Sequence, residues 1–261
     1  MMKRDDLWLW GQDAGSHHAT LNNCWKLPGE NKMGPVEGSA YLGVPNICRV
    51  AMGNLPAPPF FDEAEKLKDI PKVVWSVIGD GGSGRTDGGN TDLQAVIDVA
   101  KVYPNIIGGI MDDFFSDARM KVYTADVIRD IAAALHEYNL NLWTVLYTHE
   151  LTKPIAAHLS HCDVITFWTW NGGDLTDLED NLTRLEETLT APKPIYQGVY
   201  FWNYGASRPL TMEQMEHQLE TGYRLYEAGR IRGMVFCSNC IADIGLETVE
   251  FTRKWLDAHC I

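Results

Sequence analysis

Eight short apolar runs recur along the chain, at residues 6–11, 46–52, 72–78, 106–112, 141–147, 164–170, 194–201 and 233–238. Most are rich in Val, Ile, Phe, Trp and Tyr, and their apolar residues are consecutive rather than alternating. Such runs suit parallel strands that helices cover on both faces. The stretches between them carry the helical period instead. Leu93, Val96, Ile97 and Ala100 share one face of a helix predicted over 92–102, and Val127, Ile131, Ala134 and Leu135 share one over 125–138. Leu178, Leu182, Leu185 and Leu189 form a third stripe, and Met212, Met215, Leu219 and Tyr226 a fourth. A last helix is expected over 246–258. Thr91-x-x-Gln94, Thr176-x-x-Glu179 and Thr211-x-x-Gln214 match the capping box, in which two side chains satisfy free N–H groups at a helix start. Gly229 is placed to end the fourth helix.

Eight such units in 261 residues is roughly 33 residues each, and ~250 residues is the usual size of a (β/α)8 barrel. No Pro/Gly/Ser-rich linker divides the chain. The expected fold is therefore α/β, a (β/α)8 TIM barrel forming a single domain over 1–261. Residues 12–45 scatter Gly, Pro and Asn, so the first connection is expected to be a long loop with little helix. An open doubly wound sheet is the competing architecture, but the first strand runs into Gly-Gln-Asp-Ala-Gly rather than G-x-G-x-x-G. The Gly-rich run after Asp80 also lacks the P-loop Lys.

Charge narrows the partners. The chain has 22 Lys and Arg against 35 Asp and Glu, a net charge of −13. Nucleic acids and anionic membranes are bound through clustered Lys and Arg, so neither is an expected partner. There is no apolar run long enough to span a bilayer. Asp5 and Asp6 interrupt the N-terminus before an apolar signal segment can form, so a cytoplasmic location is expected. The six cysteines make no disulfide framework, and Cys237-x-x-Cys240 has no second pair. No cofactor is expected, and the oligomeric state is left open.

The candidate chemistry lies where the strands end. In a barrel of this kind the C-terminal rim carries the site. Strand one runs into Gln12, Asp13, His17 and His18, and strand three into Asp80. Strand four ends in Asp112-Asp113, and strand five in Tyr147, His149 and Glu150. Strands six and seven end in Trp168, Trp170 and Asp174, and in Tyr200, Trp202, Asn203 and Tyr204; strand eight ends in Ser238 and Asn239. Adjacent carboxylates on a strand point to opposite sides. Gly108 and Gly109 leave both phases open, with Asp113 favoured as the carboxylate that faces the axis and reacts. Aromatic faces offer flat apolar area to a sugar ring while carboxylates and amides hold its hydroxyls. Trp75, Trp143 and Trp255 are assigned to the core.

On this architecture, and on the run Gly108-Gly109-Ile110-Met111-Asp112-Asp113-Phe114, the chain resembles the (β/α)8 glycoside hydrolases. Several such families place a catalytic Asp at the end of strand four and a second carboxylate at the end of strand six. The resemblance thus implies Asp112 or Asp113, and Asp174. It has departures: strand seven ends in Asn203 rather than Glu, and Phe115 stands where a chitinase pattern would place Glu. Glu150 is therefore a competing acid. The resulting expectation is a glycosidase acting on a small-molecule or oligosaccharide substrate, with Asp113 as nucleophile or base and Asp174 or Glu150 as acid. Asp13, His17, Asp80, Asn203 and Asn239 would hold hydroxyls, and Tyr147, Trp168, Trp170 and Trp202 would line the ring.

Two alternatives stand beside it. His17, His18, Asp80, Asp112, Asp113, His149 and Glu150 are ligand types for a metal-dependent hydrolase or isomerase, although no H-x-H or H-E-x-x-H motif occurs. A non-catalytic sugar-binding barrel is the other.

Overall fold

Each apolar run becomes a strand with a parallel neighbour on either side. The computed structural model describes residues 1–19 and 22–261. Its barrel strands are β1 (Leu7–Gly11), β2 (Asn46–Arg49), β3 (Val73–Ile78), β4 (Ile106–Met111), β5 (Asn141–Tyr147), β6 (Val164–Trp168), β7 (Ile195–Tyr200) and β8 (Gly233–Cys237). They close in the order β1-β8-β7-β6-β5-β4-β3-β2, with β1 paired to β8 through Leu7–Met234 and Trp10–Cys237. Closure removes both sheet edges and excludes the doubly wound alternative. The strands are buried almost throughout, which is why their apolar residues are consecutive.

Rings plug the barrel. Trp8 on β1 meets Trp143 on β5 across the interior at 4.7 Å, and Trp143 stacks on Tyr196 of β7 at 5.1 Å. Two residues further along the strands, Trp10 and Trp168 pack edge to face at 5.3 Å. That second layer is the floor of the cavity above. Gly198 makes room for it, because a Cβ there would sit 2.0 Å from Trp168 Cδ2.

The crossover helices mostly follow the predicted stripes: Leu93–Ala100, Ala125–His136, Leu178–Thr188, Met212–Glu227 and Glu247–His259. Of the three capping boxes, only Thr211 and Gln214 form one, with reciprocal bonds of 3.1 and 3.0 Å. Asp92 and Asp177 stand at the other two N-cap positions, and the Thr176 hydroxyl instead donates to the Gly173 carbonyl. Gly229 takes the left-handed conformation, φ 72°, after the fourth stripe. The first connection also departs from expectation. Pro35–Leu42 forms a helix with Pro at its first turn and a left-handed Gly43 behind it, so β1 and β2 have a crossover helix after all. No helix among the described residues is long and apolar enough to cross a membrane.

Candidate active site

Strand alternation points Ile110 and then Asp112 toward the barrel axis, and Asp112 lines the cavity at the mouth. Asp113 reaches the same cavity by another route. Its backbone is left-handed, φ 45°, which turns its side chain out of the strand register. The expectation that Asp113 alone faces the axis is thereby corrected: Asp112 holds the axial position and Asp113 stands beside it. The Asp113 N–H donates to Asp112 Oδ1 at 2.8 Å. Asp113 Oδ1 accepts from the Tyr147 hydroxyl at 2.9 Å, and Oδ2 from the Gly81 N–H at 3.0 Å. Asp80 is held in turn by the N–H groups of Gly53 and Gly82 and by the Ser83 hydroxyl.

Beneath these carboxylates lies Arg119, on the helix Asp117–Val122. Its guanidinium is buried and donates to the carbonyls of Gly79, Asp112 and Asp80 at 2.6, 2.8 and 2.7 Å, with Asp87 at 2.9 Å. One side chain thus ties the ends of β3 and β4 together where their carboxylates emerge. Burial pushes the Asp112 carboxyl well above the usual carboxylate range, and the charges of Asp113 and Asp80 push it the same way. The Asp112 carboxyl is therefore biased toward its protonated form. Burial also drives the Tyr147 hydroxyl far up, so it stays a proton donor.

Facing them is an aromatic wall. Trp168 meets Tyr200 at 4.9 Å, and Trp170 stacks on Tyr204 at 5.3 Å and meets Tyr147 edge-on at 5.8 Å. Carboxylates and rings enclose an inner chamber of about 400 Å³, floored by Trp10 and Val145, with Cys237 and Met52 at its sides. An outer cleft of about 800 Å³ opens beside it, lined by Arg119, Tyr123, His149 and Glu150 among others. His17 lines the inner chamber and packs on Trp25 and Tyr204, and burial lowers its pKa to about 3.

The predicted residues divide cleanly by position. Asp80, Asp112, Asp113, His17, Tyr147, Trp168 and Trp170 line the inner chamber. Glu150 lines only the outer cleft, where it accepts from the Tyr147 N–H at 3.0 Å and faces Lys153 at 3.5 Å. Asp174 is exposed on the turn Gly172–Asp177 and lines neither cavity. Asp13 is turned away to pair with the buried guanidinium of Arg49. Asn203 caps the turn behind β7 by accepting from Ala206. Asn239 exchanges two hydrogen bonds with the Gln12 backbone, at 2.8 and 2.9 Å. Trp202 lies behind the wall and donates to the Trp25 carbonyl at 3.1 Å. These last three shape the rim without lining the chamber.

Gln12 stands at a strand end with no role assigned from the sequence, Tyr200 and Tyr204 belong to the rim aromatics the sequence points to, and Trp10, Trp25 and Arg119 are not among its candidates. Only Trp10 had a signal, the inward period of two from Trp8. Among the described residues, no three His, Cys, Asp or Glu side chains gather closely enough to hold a metal ion.

The sequence matches no family model and no curated protein. In fold the chain is similar to the spore cortex-lytic enzyme SleL of Bacillus megaterium, with a TM-score of 0.58 at 12% identity over 95% of this chain and 73% of SleL. It is similar to a chitinase of Chromobacterium violaceum, TM-score 0.57 at 13% identity, covering 95% and 97% of the two chains. It is also similar to a beta-1,4-mannanase, TM-score 0.53 at 11% identity, with 97% of each chain covered. The protein thus shares its closed (β/α)8 barrel with glycoside hydrolases.

Proposed function

We propose that this protein is a glycoside hydrolase whose acting carboxylates are Asp112 and Asp113. The observation that carries this reading is the placement of two adjacent carboxyl side chains on one chamber, opposite an aromatic wall. In the proposed reaction Asp113 gives a proton to the glycosidic oxygen, and the C1–O bond breaks with its electrons on that oxygen. Water then supplies hydroxide to C1 and returns a proton to Asp113. Asp113 takes this role because it lines both cavities. Tyr147 and Gly81 orient it, and Arg119 holds the strand ends in place.

A further feature bears on the substrate. The carboxylates lining the inner chamber, among the described residues, are Asp80, Asp112 and Asp113, all on the β3–β4 side. Glycosidases that use two carboxylates place them about 5–5.5 Å or 6.5–9.5 Å apart, flanking the bond. With the chamber's carboxylates on one side and Glu150 confined to the outer cleft, attack on the far face of a sugar in the chamber falls to water or to a group of the substrate itself. A 2-acetamido oxygen is such a group, and the chitinases among the similar folds make an N-acetylated sugar the first candidate.

A panel of 4-nitrophenyl N-acetylhexosaminides and plain hexosides tests both points. The N-acetylated substrates should be hydrolysed fastest, and on an oligosaccharide of the preferred sugar, whose leaving group needs protonation, Asp113→Asn should cost about 10²–10⁴-fold in kcat, the range for a lost acid–base group. Full turnover by that variant would end the assignment. A preference for plain hexosides would remove only the acetamido element.

A further inference from the structure

The two cavities meet at a neck. Gly81, Asp113, Tyr147 and Trp170 line both of them. On the inner side the walls are buried residues, Trp10, His17, Trp168, Tyr200 and Tyr204. On the outer side Gly88, Ser116, Ala118, Val122 and His149 are exposed, so that cavity is an open cleft. A long polymer crossing the mouth would need open space on both sides of Asp113. Among the described residues, the outer cleft is the more open of the two sides, and most of the inner wall is buried.

The inner chamber also carries unused polar atoms. Gln12 Oε1 and His17 Nδ1 are buried and have no hydrogen-bond partner among the described residues, although both residues line the chamber. Buried polar atoms in native proteins are ordinarily paired, so two orphans on one cavity point to a ligand that pairs them. His17 is kept neutral by burial and Gln12 is uncharged, so this wall suits hydroxyl groups rather than an anion. Asp80, Asp112 and Asp113 also disfavour a negatively charged ring.

We propose that the enzyme is exo-acting: the inner chamber takes one uncharged terminal sugar residue, read by Gln12 and His17, and the remainder of the substrate lies in the outer cleft. The bond to be cleaved then sits at the neck, beside Asp113. This rests on the hydrolase reading above, so its test has one arm that needs no turnover.

In the first arm, end-labelled oligosaccharides of the class hydrolysed in the glycoside panel are followed by time-resolved product analysis. A ladder shortening by one unit, with monosaccharide as the only small product from the earliest time, is expected. Early release of dimers and trimers overturns the proposal. In the second arm, wild-type protein is titrated with free N-acetylglucosamine, glucose, mannose and glucuronic acid by calorimetry. At least one neutral sugar should bind, glucuronic acid should not, and Gln12→Leu and His17→Phe should each weaken binding about tenfold, with thermal melts confirming that the variants fold. If no neutral monosaccharide binds, the chamber is not a single-residue site. Monosaccharide binding with no turnover of any glycoside leaves the chamber assignment standing and sinks the hydrolase reading alone.

Discussion

The hydroxyl of Tyr147, at the end of β5, donates to Asp113 Oδ1 at 2.9 Å, and among the described residues Asp113 accepts from no other side chain. The two residues come from adjacent strands and meet at the neck between the cavities. Tyr147→Phe removes this donor and keeps the ring packed against Trp170. We expect kcat to fall about 10–100-fold with KM changed little, since an orienting contact near the reacting group is lost while the wall remains. Steady-state kinetics checks the split, and an equal rise in KM with kcat intact would count against an orienting role.

Asp112 predicts a pH dependence of stability. Its carboxyl is raised in the folded protein, chiefly by burial. Above the unfolded carboxylate value of about 3.9, the folded state therefore binds more protons than the unfolded state, and stability falls as pH rises toward the folded value. Asn at this position cannot ionise. Asp112→Asn should melt above wild type at pH 8, with the gap closing toward pH 4, while activity drops. Melts across that range test the sign, and a gap that widens on acidification would refute it.

Gly198 predicts a steric effect at a distance from the chemistry. An added Cβ would lie 2.0 and 2.1 Å from Trp168 Cδ2 and Cε3. The indole yields only by straining its N–H bond to Thr166 Oγ1, 2.9 Å long. Gly198→Ala should cost about 1–3 kcal/mol by overpacking and raise KM, as Trp168 is pushed into the chamber. Unchanged KM with unchanged melting would show that the floor is softer than its contacts imply.

Arg119→Met leaves the carbonyls of Gly79 and Asp112 without their donor, while the Asp80 carbonyl keeps the Ser83 N–H at 2.9 Å. Each buried unpaired group costs about 1–3 kcal/mol, so a loss of about 3 kcal/mol is expected even if water reaches some of them. At this chain length that is a fall of roughly 6–12 °C in melting temperature. Activity measured well below the melt should also drop, because Asp80 and Asp112 lose their common anchor.

The framework was legible in the sequence because it follows from local patterns. Runs such as Val73–Ile78 and Asn141–Tyr147 are apolar on both faces whatever their partners are, and the stripe through Leu178, Leu182 and Leu185 needs only the helical period. The eightfold count and the rim bearing the polar residues followed from those same patterns. The site itself was legible only in part, because it depends on loop dihedrals and on partners far along the chain. Strand alternation could not anticipate the left-handed turn at Asp113, which brings two neighbouring carboxylates to one cavity. Asp13 looked as available as Asp80 until Arg49, 36 residues later, took its carboxylate. Asp174 is exposed on the turn Gly172–Asp177 and lines neither cavity, and Arg119 arrived from a helix with no motif to mark it. Periodicity in the sequence determined which residues lie in the wall of the barrel, and long-range packing alone decided which polar groups face each other across its mouth.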